Sequence, residues 1–171
     1  MAKVTLKGNL IHTNGDLPAV GSKAPEFQLV DQDLNNHSLK DYKGKRKILY
    51  IVPSLDTSVC SLSTKKFNEQ IKKHPTIVVL AISSDLPFAQ KRFCGAENVK
   101  NIVTLSMMRS KDFAKDYGVL IQDGPLAGIC ARAVIVLDEN DKVIYVQLVP
   151  EITQEPDYEK ALQAALGREH L

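Results

Sequence analysis

The clearest pattern in the sequence begins at Ile48 and reads ILYIVPSLDTSVC, ending at Cys60. Its first five residues are apolar and rich in β-branched side chains, which is typical of a strand buried on both faces. A short loop follows, and Cys60 then recurs with Phe67 and Ile71 on one face of a helical pattern. The sequence therefore predicts a strand, a loop, and a helix over 60–73 with a cysteine in its first turn.

The same alternation of strands and helices continues downstream. Further strands are predicted over 76–82, 102–105, 133–137 and 143–149, and further helices over 86–94, 111–117 and 156–166. Gly95 is expected just past the end of the helix over 86–94, where glycine often closes a helix. Upstream, a strand is predicted over 27–30 and a hairpin over 3–13, with its turn at Gly8-Asn9. This order predicts an α/β protein with a mixed central sheet and helices on both faces, compatible with a thioredoxin-like fold.

Length and composition exclude several classes of protein. A chain of 171 residues favours one domain, since domains average roughly 100–200 residues. The 22 basic and 20 acidic residues leave a net charge of +2, which argues against an electrostatic nucleic-acid binder. The apolar runs are strand-sized and far shorter than the ~20 residues that span a bilayer. The first residues lack the apolar core of a secretory signal, so we expect a cytoplasmic protein.

The cysteines and histidines give no sign of a disulfide framework or a metal site. Three cysteines, Cys60, Cys94 and Cys130, are too few and too widely spaced for either a framework or a C-x-x-C zinc motif. The four histidines are scattered and never fall four residues apart. We therefore expect chemistry without a metal.

The position of Cys60 suggests a reactive thiol. Ligands in open α/β sheets bind beyond the carboxyl ends of strands, and Cys60 follows such an end. The N-terminus of a helix favours an anion, and a thiolate is one. The alternative is that Cys60 is a small apolar side chain facing the core, as free cysteines often are.

The residues around Cys60 resemble a known family. Pro53-x-x-x-Thr57-x-x-Cys60 matches the P-x-x-x-T-x-x-C signature of peroxiredoxins. The segment from Asp85 to Gly95, DLPFAQKRFCG, resembles the region around the resolving cysteine of the thiol peroxidase branch, an atypical 2-Cys group. Three further segments resemble that branch: Gly124-Pro125-Leu126, Ala131-Arg132-Ala133 and Glu155-Pro156-Asp157-Tyr158. The similarity covers residues 3–166 and implies a single thioredoxin-like peroxiredoxin domain over residues 1–171.

The resemblance implies a role for each site residue. Cys60 corresponds to the peroxidatic cysteine, whose thiolate attacks a hydroperoxide and becomes a sulfenic acid. Thr57 would place its hydroxyl near the thiolate, and Pro53 would shield the site without adding an N–H group. Arg132 would stabilise the thiolate and the departing oxygen; its alternative is a structural ion pair. Cys94 corresponds to the resolving cysteine, which forms a disulfide with Cys60; its alternative is an inert cysteine at a helix end.

The family also implies what the enzyme works with. Hydrogen peroxide or alkyl hydroperoxides would be the substrates, thioredoxin the reductant, and no cofactor, metal, flavin or haem would be needed. Family members are typically homodimers. Cys130 departs from the family pattern and is interpreted as a buried bystander, although it lies two residues from Arg132.

Three other functions are weighed against this one. A dithiol oxidoreductase on the same fold needs a second cysteine close by, whereas Cys60 is followed by Ser61, Leu62 and Ser63. A non-catalytic binding module would have cysteines that merely pack, and would show no hyper-reactive thiol on titration. A cysteine hydrolase needs a histidine partner that nothing in the sequence indicates.

Overall fold

A computed structural model describes residues 1–167. Its strands are β1 (Lys3–Leu6), β2 (Asn9–His12), β3 (Leu29–Val30), β4 (Asn36–His37), β5 (Arg46–Ile51), β6 (Ile77–Ser83), β7 (Val103–Ser106), β8 (Ala133–Leu137) and β9 (Val143–Leu148). Its helices are α1 (Ser58–Ile71), α2 (Pro87–Ala96), α3 (Asp112–Asp116) and α4 (Tyr158–Ala165), with a 3-10 helix over Leu39–Tyr42. None of the helices within residues 1–167 is long and apolar enough to cross a membrane.

The central sheet is mixed, as the sequence predicts. Seven strands lie in the order β4-β3-β7-β6-β5-β8-β9, and β1 pairs with β2 in a separate hairpin. Strands β5, β6 and β7 are mutually parallel, whereas β8 runs antiparallel to β5. The carboxyl ends of the three parallel strands therefore meet at one edge of the sheet, and both α1 and α2 begin at that edge.

The core has two layers, one on each face of the sheet. Strand β5 is buried on both faces, so alternate side chains enter different layers. Tyr50 packs with α1, α2 and α4 in one layer, while Leu49 packs with α3 and the 3-10 helix in the other. The helices on both faces confirm the predicted α/β arrangement.

The turn of the N-terminal hairpin differs from its prediction by one residue. Lys7 and Gly8 occupy the turn, with φ of +50° and +83°, and Asn9 already pairs with Leu6 as part of β2. Two consecutive residues with positive φ match the twist of the flanking strands, and glycine adopts the second position without a Cβ clash. The predicted turn at Gly8-Asn9 is therefore wrong.

The end of α2 also differs from its prediction. Helix α2 continues through Gly95 to Ala96, so Gly95 does not close it. Asn98 takes the left-handed position instead, with φ of +57°, and the Val99 N–H donates to the Cys94 carbonyl at 2.9 Å. Asparagine tolerates this conformation better than other non-glycine residues. Cys94 therefore lies in the last turn of α2 rather than at its final residue.

Candidate active site

The loop before α1 positions Cys60. Helix α1 begins at Ser58, two residues before its predicted start, because Thr57 caps it. The Thr57 hydroxyl accepts a hydrogen bond from the Cys60 N–H at 3.2 Å and donates one to the Ser54 carbonyl at 3.2 Å. Cys60 is thus the third residue of the helix, where the positive end of the helix dipole stabilises a thiolate.

Arg132 meets the sulfur of Cys60. Ala133 at the start of β8 pairs with Ile51 at the end of β5, which places the preceding residue, Arg132, at the carboxyl edge. Its Nη1 donates to Cys60 Sγ at 2.9 Å, and its Nε donates to the Ile152 carbonyl at 2.9 Å. The structure therefore brings together two residues that are 72 positions apart in the sequence.

The burial of this pair decides its chemistry. Arg132 is 1% exposed and Cys60 has no exposed surface. No carboxylate within residues 1–167 lies in ion-pair range of Arg132, so the structural ion pair considered from the sequence is not found there. A buried cation needs an anionic partner, because its desolvation is costly. Cys60 Sγ is the group in contact with the guanidinium that can take that role.

Tyr50 is a neighbour of the site that sequence reasoning missed. It lies in β5 with no exposed surface, and burial together with the nearby charge of Cys60 raises the pKa of Tyr50 to about 12. Its hydroxyl has no hydrogen-bond partner among the described residues. Tyr50 therefore stays neutral near Cys60, and the hydroxyls of Thr64 and Ser63 lie close enough to its own to oppose the shift. Tyr50 is the one aromatic residue in the apolar run of β5, and this pattern could have indicated it as a neighbour of the site.

Pro53 and a surface groove border the reactive loop. Pro53 is buried two residues after the end of β5, in keeping with a shielding role. Beside the loop, Asp56 and the exposed face of α2 enclose a groove of about 540 Å³. Its apolar lining includes Leu86 and Phe88, both more than half exposed. Apolar surface thus lies close to the loop that holds Cys60.

Cys94 is buried in the same core layer as Cys60 but in a different helix. Both sulfurs are free. Burial raises the pKa of Cys94, whereas hydrogen bonding with Gln32 and Thr104 lowers it by less. Thr104 belongs to β7, so the Cys94 side chain sits over the β7 side of the sheet. The structure does not bring Cys94 into the Cys60–Arg132 contact.

Cys130 lies on the other face of the sheet. It is fully buried in the layer that contains α3, and its Sγ is 3.8 Å from Met107 Sδ. Burial raises the pKa of Cys130 to about 12, and this effect outweighs the nearby charge of Lys111, which acts to lower it. The sheet separates Cys130 from Cys60 and Cys94. Its predicted burial is confirmed.

The carbonyl of Ile152 is a second contact that sequence reasoning missed. It fixes the Arg132 side chain, and Ile152 is itself held by the N-terminal hairpin, because its N–H donates to the Thr5 carbonyl at 2.8 Å. Long-range backbone contacts of this kind leave no local sequence signal.

In the part of the chain that the structure describes, no three His, Cys, Asp or Glu side chains are grouped to hold a metal ion.

Comparison with known sequences identifies close relatives. The redoxin family model matches residues 19–162. A thiol peroxidase from Leptospira interrogans serovar copenhageni is 55% identical over 167 residues, covering 96% of this chain and 98% of the relative. The thiol peroxidase of serovar Lai matches equally well.

Comparison with solved structures identifies proteins of the same kind as the sequence relatives. A peroxiredoxin-like protein from Aquifex aeolicus superposes with a TM-score of 0.92 at 45% identity, covering 98% of this chain and 97% of that one. A thiol peroxidase from Chromobacterium violaceum superposes with a TM-score of 0.88 at 27% identity, covering 96% of this chain and 97% of that one. Mycobacterium tuberculosis AhpC, at 18% identity and a TM-score of 0.72 over 89% and 93%, shares the fold. The chain therefore belongs to the redoxin family, in the thiol peroxidase branch of the peroxiredoxins, and catalyses thiol-dependent reduction of peroxides.

Proposed function

We propose that this peroxidase reduces hydrogen peroxide and alkyl hydroperoxides through a sulfenic acid on Cys60. Cys94 of the same subunit then forms a disulfide with Cys60, and thioredoxin reduces that disulfide. The observation that supports the proposal most strongly is the 2.9 Å contact between Arg132 Nη1 and Cys60 Sγ. A buried guanidinium beside a thiol at a helix N-terminus favours the thiolate, which is the nucleophile.

The first step follows from that contact. The Cys60 thiolate attacks the terminal oxygen of the hydroperoxide, so that an S–O bond forms while the O–O bond breaks. The sulfur is oxidised, the peroxide is reduced, and the alkoxide leaves and takes a proton to become an alcohol, or water from hydrogen peroxide. Arg132 is placed to stabilise the charge that moves from sulfur to the departing oxygen, since it is already oriented by the Ile152 carbonyl.

The second step joins Cys60 to Cys94 and releases water from the sulfenic acid. Cys94 lies seven residues after Pro87, so it is about 10 Å back along α2 from the edge where Cys60 lies, at 1.5 Å per residue. It sits over β7, two strands from β5, which adds about 10 Å across the sheet at ~4.8 Å per strand. A disulfide needs Cα atoms within about 7 Å.

The disulfide therefore requires local opening. The first turn of α1, the last turns of α2, or both must unwind to bring the two sulfurs together. Helix ends and short helices open at low cost compared with the sheet. The folded site would react with peroxide, and the opened site would expose the disulfide to thioredoxin.

The partner and location are further parts of the proposal. Thioredoxin restores both thiols by dithiol–disulfide exchange and is itself oxidised to its disulfide. A homodimer in the cytoplasm is expected from the family resemblance. Sedimentation of the reduced and oxidised protein measures the assembly directly.

The test is a coupled assay with thioredoxin, thioredoxin reductase and NADPH. Wild-type protein should oxidise NADPH with hydrogen peroxide and with an alkyl hydroperoxide. Cys60→Ser should be inert, whereas Cys94→Ser should consume one equivalent of peroxide, stop at the sulfenic acid and fail to turn over. Full turnover by Cys94→Ser would contradict the resolving role, and turnover by Cys60→Ser would contradict the whole proposal.

A further inference from the structure

The carboxylate of Asp85 ties the reactive loop to the start of α2. Asp85 lies between β6 and α2, half-buried, at the carboxyl edge of the sheet. Its Oδ1 accepts a hydrogen bond from Ser54 Oγ at 2.7 Å, and its Oδ2 accepts one from the Leu55 N–H at 2.8 Å. Both donors belong to the loop that leads to Cys60, and they precede Asp85 by 31 and 30 residues along the chain.

A polar cluster holds Asp85 in place from the other side. Ser83 Oγ donates to Asp85 Oδ2 at 2.8 Å, and Ser106 Oγ at the end of β7 donates to the Asp85 carbonyl. Gln90 of α2 is fully buried and donates to Ser83 Oγ at 3.2 Å and to the Leu105 carbonyl at 3.0 Å. Asp85 is therefore anchored to β6 through its carboxylate and to β7 through its main-chain carbonyl, and Gln90 of α2 supports it through Ser83.

The loop bonds of Asp85 continue to the reactive sulfur. The Ser54 carbonyl also accepts a hydrogen bond from the Thr57 hydroxyl, and Ser54 Oγ accepts one from the Asp56 N–H. Thr57 in turn caps the Cys60 N–H. An unbroken series of hydrogen bonds thus runs from Asp85 through Ser54 and Thr57 to the first turn of α1.

We propose that Asp85 is a positioning residue that latches the reactive loop closed and couples the opening of the Cys60 helix to that of the Cys94 helix. The proposal rests on the proposed function, in which those two helices carry the reacting cysteines. With the latch closed, Cys60 is held against Arg132 for reaction with peroxide. With the latch broken, the first turn of α1 is released and disulfide formation is favoured.

The two chemical steps therefore respond in opposite directions to loss of the latch. A hydrogen bond to a charged group shifts an equilibrium by roughly 10- to 100-fold. We expect Asp85→Ala to slow the oxidation of Cys60 by peroxide by that factor and to speed the formation of the Cys60–Cys94 disulfide several-fold. Ser54→Ala, which removes one of the two loop bonds, should shift both rates in the same directions by less.

The experiment measures the two rates separately. Reduced protein is mixed with one equivalent of hydrogen peroxide and quenched at intervals with a thiol-alkylating reagent, and mass spectrometry then counts thiol, sulfenic acid and disulfide. Asp138→Asn is the matched control, because the half-buried Asp138 also accepts two backbone N–H groups of a loop, from Asn140 and Lys142, but far from the site. It should leave both rates unchanged.

Equal changes in both rates, or none, in a folded variant would overturn the latch. If Asp85→Ala does not fold, Ser54→Ala decides the question in the same assay. Failure of the latch is distinct from failure of the proposed function, because the latter shows as peroxide reduction by Cys60→Ser whatever Asp85 does.

Discussion

Replacing Arg132 by methionine tests the electrostatic account of the site. The substitution keeps a long side chain but removes the guanidinium that lies 2.9 Å from Cys60 Sγ. Two unit charges about 4 Å apart interact by ~4 kcal/mol at an effective dielectric constant near 20. Allowing for the desolvation that methionine avoids, we expect a loss of ~3–4 kcal/mol in the stabilisation of the reacting sulfur, or ~10²–10³-fold in rate.

The assay follows Cys60 oxidation directly, because the chain contains no tryptophan to report it by fluorescence. Rapid quenching with alkylation gives the rate with peroxide, and alkylation as a function of pH gives the thiolate fraction. Thermal unfolding checks the fold, which should survive because a buried charge is removed together with its desolvation cost. Arg46→Met is the matched control, since Arg46 likewise bonds an anion, Glu139, and a backbone carbonyl, Ala165, but at the opposite edge. A wild-type rate in Arg132→Met would show that the guanidinium does not stabilise the reacting sulfur.

Three further outcomes are expected. Cys130→Ala should keep near-normal turnover and lose about 1–2 kcal/mol of stability, because a buried side chain is truncated; a mapped Cys94–Cys130 disulfide in oxidised wild type would contradict the bystander interpretation. Hydrogen bonds from the Thr153 and Gly8 N–H groups lower the pKa of Glu151 from 4.5 to about 2. The stabilisation is therefore complete above pH 4.5 and lost as the pH falls towards 2, so the melting temperature should fall more steeply over that range in wild type than in Glu151→Gln; parallel curves would show that these bonds do not stabilise the fold. Amide exchange near Cys60 and Cys94 should rise on oxidation, and identical exchange in both redox states would contradict the opening step.

Local patterns were sufficient to predict most of the architecture. The strand over 48–52 was identifiable because it is buried on both faces and therefore apolar throughout. The last helix was identifiable because Tyr158, Ala161, Leu162 and Ala165 repeat with the helical period and pack on the sheet. Predicted boundaries of these elements differ from the observed ones by one or two residues, since helix ends depend on caps such as Thr57 and Asp157.

Short and non-local features could not be predicted in this way. Strand β4 has only two residues, too few to show a period, and forms because Leu29 and Val30 pair with His37 and Asn36. Gly95 was a reasonable helix stop by composition, but the packing of α2 extends the helix until Asn98 can close it. Propensity was overridden by tertiary contacts in both places.

The site also combines contacts that a local pattern predicts with contacts that it does not. Cys60 and Thr57 lie in one local motif, so their proximity was predictable from spacing. The contact of Arg132 with Cys60 depends on the antiparallel register of β8 against β5, which no local pattern encodes. Only the family resemblance indicated Arg132, and neither route indicated Asp85 as a contact of the reactive loop.

A peptide map of the protein after reaction with one equivalent of peroxide tests the Cys60–Cys94 disulfide most directly. We expect a single disulfide between Cys60 and Cys94 within one chain, with Cys130 recovered as a free thiol. Cys94→Ser, treated in the same way, should show a sulfenic acid on Cys60. A disulfide that includes Cys130, a bridge between two chains, or oxidation that leaves Cys60 as a free thiol would contradict these expectations.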